Sequence, residues 1–98
     1  MIKNQIVSLS NTVCQGTGNI VSDMDGEKVM LSIAKGKYYN LGDIGGEIWE
    51  LIQTPIPIEE VIATLTSLYD VEQSMCQEQV LSFLGLLAEE GLIEVKEL

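Results

Sequence analysis

Between residues 5 and 34 the apolar positions come in short runs, Ile6-Val7, Thr12-Val13-Cys14, Ile20-Val21 and Val29-Met30-Leu31-Ser32-Ile33, separated by Gly, Asn, Ser and Asp. Runs of this length, rich in β-branched residues and bounded by turn formers, predict strands and argue against helix. Asp25-Gly26 precedes Glu27–Ile33, and Lys35-Gly36 separates that run from Lys37-Tyr38-Tyr39-Asn40-Leu41. Glycine tolerates positive φ, so the second interval suits a tight turn and predicts a hairpin over 28–41. Period-two alternation puts Val29, Leu31 and Ile33 on one face of its first arm, and Tyr39 with Leu41 on one face of the second.

After Leu41 the period changes. Ile44, Ile48, Leu51 and Ile52 fall at i, i+4, i+7 and i+8 and define one helical face, with Trp49 at its edge. Thr54-Pro55-Ile56-Pro57 interrupts this pattern. Pro57 suits the first turn of a second helix carrying Val61, Ile62, Leu65, Leu68 and Tyr69, with Glu59 and Glu60 near its positive end. A third helix is expected from about Glu72, where Cys76, Val80, Phe83, Leu84 and Leu87 form one stripe before Gly91 stops it. Leu92-Ile93-Glu94-Val95 reads as a short closing extension. The fold class predicted is α+β: three N-terminal strands over about 5–41, then three helices over about 43–91, in a single domain spanning 1–98.

Charge narrows the range of partners. Fifteen acids oppose five bases, all Lys, for a net charge of −10. Residues 1–37 carry Lys3, Lys28, Lys35 and Lys37 against Asp23, Asp25 and Glu27, whereas eleven acids and no base lie between Tyr38 and Val95. Such a surface repels phosphate backbones and favours basic or neutral ligands; solubility alone also accounts for it. A winged-helix reader of DNA would place the third helix in the major groove, yet that helix offers Glu72, Glu78, Glu89 and Glu90 and no cation, so no nucleic-acid partner is expected. No apolar stretch reaches ~18 residues and no signal peptide is evident, so no membrane partner and a cytoplasmic location are expected.

Catalytic chemistry fails on inventory. Without histidine there is no imidazole base, no Ser-His-Asp or Cys-His pair and no ordinary zinc or iron site, so neither a metal nor another cofactor is expected. Cys14 and Cys76 are too few and too far apart for a disulfide framework and read as reduced thiols. Cys76 has only acids and amides near it in sequence, nothing that would lower its pKa, and reads as a small hydrophobe on a helix face. Glu59-Glu60 and Glu89-Glu90 are adjacent on helices, point about a quarter-turn apart and read as solvated. Gly42, Gly45 and Gly46 match no phosphate-loop spacing and read as small residues that let the first helix approach the sheet.

Lys35-Gly36-Lys37-Tyr38-Tyr39-Asn40-Leu41 followed by Gly45-Gly46-Glu47-Ile48-Trp49-Glu50-Leu51 resembles the PqqD-like family. The likeness continues through Ile58-Glu59-Glu60-Val61, Tyr69-Asp70-Val71, Val80-Leu81-Ser82-Phe83-Leu84, Leu87 and Gly91-Leu92-Ile93, covering about Val29 to Ile93. The resemblance implies a winged helix-turn-helix-like fold with a three-stranded antiparallel sheet, and a non-enzymatic recognition element for the leader of a ribosomally made precursor peptide. A stand-alone chain of this length most resembles the leader-binding protein of lasso-peptide pathways. The implied partners are the precursor leader and a separate leader-cleaving cysteine protease, with the chain acting as a peptide chaperone between them. The alternative is a non-catalytic interaction or regulatory subunit of an enzyme that binds no precursor.

In the family the leader adds as a strand to the second arm of the hairpin and sets side chains beside the third helix, a mode in which backbone bonds give affinity and pockets give specificity. Carried onto this chain, the docking strand is Lys37, Tyr38, Tyr39, Asn40 and Leu41, and the helical wall is Met75, Cys76, Gln79, Val80 and Phe83. Val80 and Phe83 fit the core stripe as well as a binding wall; Met75 and Gln79 fit a solvated flank equally well. The chain departs from the family pattern at Gly42, where Asn is frequent, at Pro57, where Thr or Ser is, and at Gln79, where Asp is. Gly85 and Leu86 occupy positions often charged in the family, which suggests Leu86 as an exposed apolar contact for the protease or a second copy.

Overall fold

The computed structural model describes residues 7–25 and 27–96. Gln5-Ile6 at the expected first strand, Lys3, and Gly26 of the Asp25-Gly26 pair lie outside them. The strands β1 (Thr12–Gln15), β2 (Asn19–Met24), β3 (Glu27–Ser32) and β4 (Lys37–Asn40) precede helix α1 (Gly42–Leu51). A two-residue β5 (Ile56–Pro57) leads into α2 (Ile58–Leu68), which is followed by α3 (Gln73–Glu89) and β6 (Ile93–Lys96).

The predicted hairpin is β3–β4, with Gly36 at φ +65° and its N–H donating to the Ser32 carbonyl at 2.8 Å. With β2 it makes the three-stranded antiparallel sheet that the three helices follow, in the order β2-β3-β4. The Thr12-Val13-Cys14 run belongs to a different sheet. β1 pairs with β6 on one side and with β5 on the other, with Val13 opposite both Val95 and Ile56. The closing extension is therefore a true strand, and this second small sheet ties the two ends of the fold together.

Of the two faces of β3, the one carrying Met30 and Ser32 is buried, while Leu31 is only half-buried and Ile33 is exposed. The reason is α1, which packs on the Met30 face with the aliphatic stem of Lys28 lying across Gly46. A Cβ on Gly46 would come within 2.8 Å of that stem, so glycine here is what permits the close approach. Lys28 also pairs with Glu50 of α1.

Helix α1 buries Ile48 and Trp49, and Ile52 follows at its C-terminal cap; Trp49, expected at the edge, is well inside. Pro57, with φ −65° and ψ 144°, is the N-cap of α2, one step before the first turn. Val61, Ile62 and Leu65 are buried as the period predicted, but Leu68 stays exposed. In α3 the buried stripe is Cys76, Val80, Leu84 and Leu87, with Phe83 half-buried beside it. The helix ends in a Schellman turn: Gly91 takes φ +75°, its N–H donates to Ala88, and the Leu92 N–H reaches back to Leu87. Leu87 and Leu92 are both buried, which supplies the apolar contact this motif usually carries. Among the described residues no helix is long and apolar enough to cross a membrane.

Candidate peptide-binding groove

Strand β4 is the last in its sheet, so one of its edges has no strand partner among the described residues. The Leu41 N–H donates to the Lys28 carbonyl at 2.8 Å, which fixes residues 28 and 41 as a hydrogen-bonded pair. Bonded and non-bonded pairs alternate in an antiparallel ladder. Met30 lies opposite Tyr39, Val29 opposite Asn40 and Leu31 opposite Tyr38. Tyr39 therefore turns its main-chain groups toward β3, and Tyr38 and Asn40 turn theirs to the open edge. Two residues of β4 thus present two donors and two acceptors outward.

The side chains alternate the other way. Tyr39 and Leu41 lie on the inner face with Met30, whereas Tyr38 is on the outer face and 75% exposed. The structure accordingly does not bring the Tyr38 ring toward α3. Asn40 is exposed; its Oδ1 accepts the Gly42 N–H at 3.0 Å and its Nδ2 donates to Glu27 Oε1 at 3.0 Å. The first contact turns the chain from strand into α1, where Gly42 takes φ +73°.

All five residues expected on the helical wall, Met75, Cys76, Gln79, Val80 and Phe83, line one cavity of about 460 Å³ between the N-terminal half of α3, the start of α1 and the end of α2. The strand residues do not line it. The Phe83 ring links the two halves of the site: it lies over Gly45, where a Cβ would meet it at 3.0 Å and Leu41 Cβ at 3.4 Å. Cys76 is buried, and burial pushes its thiol pKa up, away from nucleophilic use. Val80 lines the cavity and is fully buried in the core. Met75, by contrast, is 55% exposed at the mouth.

Several lining residues were not singled out from the sequence as site residues. Ile44, expected on the core face of α1, stands partly exposed at the mouth, and Tyr69, Asp70, Val71 and Glu72 of the α2–α3 connection line the cavity with it. An apolar Val71 in a polar connection was the one available signal. Leu86 is 62% exposed and lies on the stripe Met75, Gln79, Phe83, Leu86, Glu90, at successive spacings of 4, 4, 3 and 4. That stripe runs from the cavity to the hairpin end of the site.

At that end a single carboxylate oxygen joins helix and hairpin. Glu90 Oε1 accepts from Lys35 Nζ at 3.2 Å and from the Tyr39 hydroxyl at 3.1 Å. Hydrogen bonding from Lys35, then from Tyr39, holds the Glu90 carboxyl below the usual carboxylate range. Burial, with the neighbouring Glu90 oxygen, pushes the Tyr39 phenol upward. Among the described residues no cluster of His, Cys, Asp or Glu is arranged to hold a metal ion. The arrangement offers an extended peptide an open strand edge and a largely apolar pocket.

Known proteins share this fold. The structure of TbiB1 in complex with the TbiA(beta) leader peptide shares 26% identity, covering 83% of this chain and 94% of that one, with a TM-score of 0.73. The solution structure of the PqqD truncation of PqqCD from Methylobacterium extorquens, described as a stand-alone recognition element for ribosomally synthesised and post-translationally modified peptides, is 17% identical. It covers 92% of this chain and 96% of that one, with a TM-score of 0.77. Lasso peptide synthetase B1 complexed with the leader peptide is 22% identical over 84% of this chain and 96% of that one, with a TM-score of 0.68. No curated protein matches the chain. The family model described as coenzyme PQQ synthesis protein D matches residues 27–93, from the start of the hairpin to the first residue of β6, and on that match the chain belongs to the PqqD family, whose domains are non-catalytic peptide-binding modules.

Proposed function

We propose that this protein captures the leader of a ribosomally made precursor peptide by strand addition to β4 and presents it, in the cytoplasm, to a leader-cleaving cysteine protease of a lasso-peptide pathway. The observation that carries this reading is the pair of outward-facing residues, Tyr38 and Asn40, on an open strand edge next to an apolar cavity walled by α3. Two similar solved structures, TbiB1 and lasso peptide synthetase B1, hold leader peptides.

The energetics require both parts. A leader pairing with Tyr38 and Asn40 forms four main-chain hydrogen bonds, worth a net ~0.5–1.5 kcal/mol each. Their sum, roughly 2–6 kcal/mol, scarcely offsets an association cost on the order of 4–15 kcal/mol. A bulky apolar side chain burying about 150–250 Å² in the cavity adds roughly 4–6 kcal/mol. Strand pairing without the cavity would bind weakly and accept almost any extended peptide.

The test is to identify a precursor gene beside this one and to titrate the protein with a synthetic copy of its leader, read by amide hydrogen exchange. Lys37 and Tyr39 turn their main-chain groups toward β3 and should already be protected in the free protein. Binding should slow Tyr38 and Asn40 selectively. Saturation without any slowing at those two amides would exclude strand addition, and no binding at all would leave the regulatory-subunit reading in its place. A protease that co-purifies with the protein only when leader is present would support presentation.

A further inference from the structure

The mouth of the cavity differs in character from its depth. Ile48, Leu65, Cys76 and Val80 form a buried apolar interior, and Ile44, Val71 and Met75 form an exposed apolar lip. Asp70 and Glu72 also line the cavity and are exposed. Neither side chain makes an ion pair or a hydrogen bond among the described residues: the two ion pairs there are Lys28–Glu50 and Lys35–Glu90. Glu72 is the N-cap residue of α3, yet its side chain makes no capping hydrogen bond. It is therefore not held by the helix end and remains available to a ligand.

The surrounding charge has one sign. No Lys or Arg occurs between Tyr38 and Val95, so every ionisable group that lines the cavity is either acidic or one of Tyr69 and Cys76. A peptide whose apolar side chain enters this cavity must set its neighbouring residues against Asp70 and Glu72. An acidic neighbour there meets two like charges beside low-dielectric walls, a neutral one gains nothing, and a cation is attracted both during approach and in the docked state.

We propose that Asp70 and Glu72 make this cavity selective for a leader segment that carries Lys or Arg within one or two residues of its bulky apolar anchor. The proposal rests on the leader-binding reading and adds the chemistry of the segment that occupies the cavity. It assigns specificity to the α2–α3 connection, a part of the chain that takes no share in strand pairing.

The experiment uses the full chain and the synthetic leader encoded beside its gene, with dissociation constants measured by titration at low and high salt. Replacing the Lys or Arg next to the anchor by Glu should weaken binding on the order of three- to tenfold at low salt. The effect should shrink as the screening length falls toward about 8 Å at physiological ionic strength. The double variant Asp70→Lys with Glu72→Lys should reverse the preference, binding the Glu-bearing peptide better than the parent peptide. Both positions are exposed, so this variant leaves the core intact, and its circular dichroism should match the parent's. Parent leader that binds with no dependence on the neighbouring charge, or a tightly bound leader with no cation near any bulky apolar residue, would overturn the selectivity while leaving leader capture standing. A leader that does not bind at all would remove both.

Discussion

Replacing Asn40 by proline separates the two jobs that β4 has. The pair Val29–Asn40 is a non-hydrogen-bonded pair of the hairpin, so the Asn40 N–H takes no part in the β3–β4 ladder and points to the open edge. Proline removes that donor without breaking an internal ladder bond. The substitution also deletes the Asn40 side chain, which accepts the Gly42 N–H and donates to Glu27, so the proper reference is Asn40→Ala rather than the parent. Relative to that reference, bound leader loses one hydrogen bond, and its carbonyl is left without a partner, a combined cost of about 1–3 kcal/mol. The expected rise in Kd is therefore roughly 5- to 150-fold at 1.4 kcal/mol per decade. Titration of both variants with the synthetic leader measures it, with circular dichroism to verify folding. Tyr39→Pro serves as the control of orientation: its N–H belongs to the ladder with Met30, so that change should destabilise the hairpin itself. Equal leader affinity in folded Asn40→Pro and Asn40→Ala would refute the assignment of the outward edge.

Other expectations follow from the helical side of the groove. Met75→Glu should weaken leader binding about tenfold or more, ~1.4 kcal/mol, with an unchanged melting temperature, because Met75 is exposed at the mouth and off the core stripe. If it binds normally while a polar substitution of Leu81, on the opposite flank, abolishes binding without unfolding, the groove lies on the other side of α3. Gly45→Ala gains about 1 kcal/mol in helix propensity and loses a similar amount, about 1 kcal/mol, to crowding the Phe83 ring. Stability should hardly move in thermal denaturation, while the displaced ring narrows the groove and leader affinity falls in titration. The Glu90 link should make stability fall in acid. A carboxyl whose pKa is depressed in the folded state stabilises it fully above the unfolded value, near 4.3, and loses that contribution as pH falls through the folded value. Tyr39, whose pKa is raised, contributes fully below its unfolded value of about 10 and loses its contribution as pH rises through the folded value. Thermal melts across pH should show a shallower acid limb in Glu90→Gln; identical limbs would mean the link carries no stability.

Apolar period together with the local breakers Gly36, Pro57 and Gly91 located the hairpin and all three helices, because both signals are local to the chain. The helical stripe Cys76, Val80, Leu84 and Leu87 and the stop at Gly91 were legible for the same reason. The absence of histidine and the charge imbalance are composition, and needed no coordinates to argue against catalysis and nucleic acid. What the chain could not disclose by itself was anything set by contacts between residues far apart in sequence. Val13 reads as a strand residue, but its partners Ile56 and Val95 are chosen by chain closure, which local patterning does not encode. Alternation grouped Val29 with Leu31 and Ile33, but only the docking of α1 through Gly46 decided that the Met30 face is the buried one. Likewise Ile44, Val71 and Met75 are ordinary apolar positions in the sequence; three separate segments converge to make them the lip of one cavity. The hydrogen-bond phase of β4, which turns Tyr38 and Asn40 outward, was fixed by a single contact between Leu41 and Lys28, because register is a property of two strands together and not of either one.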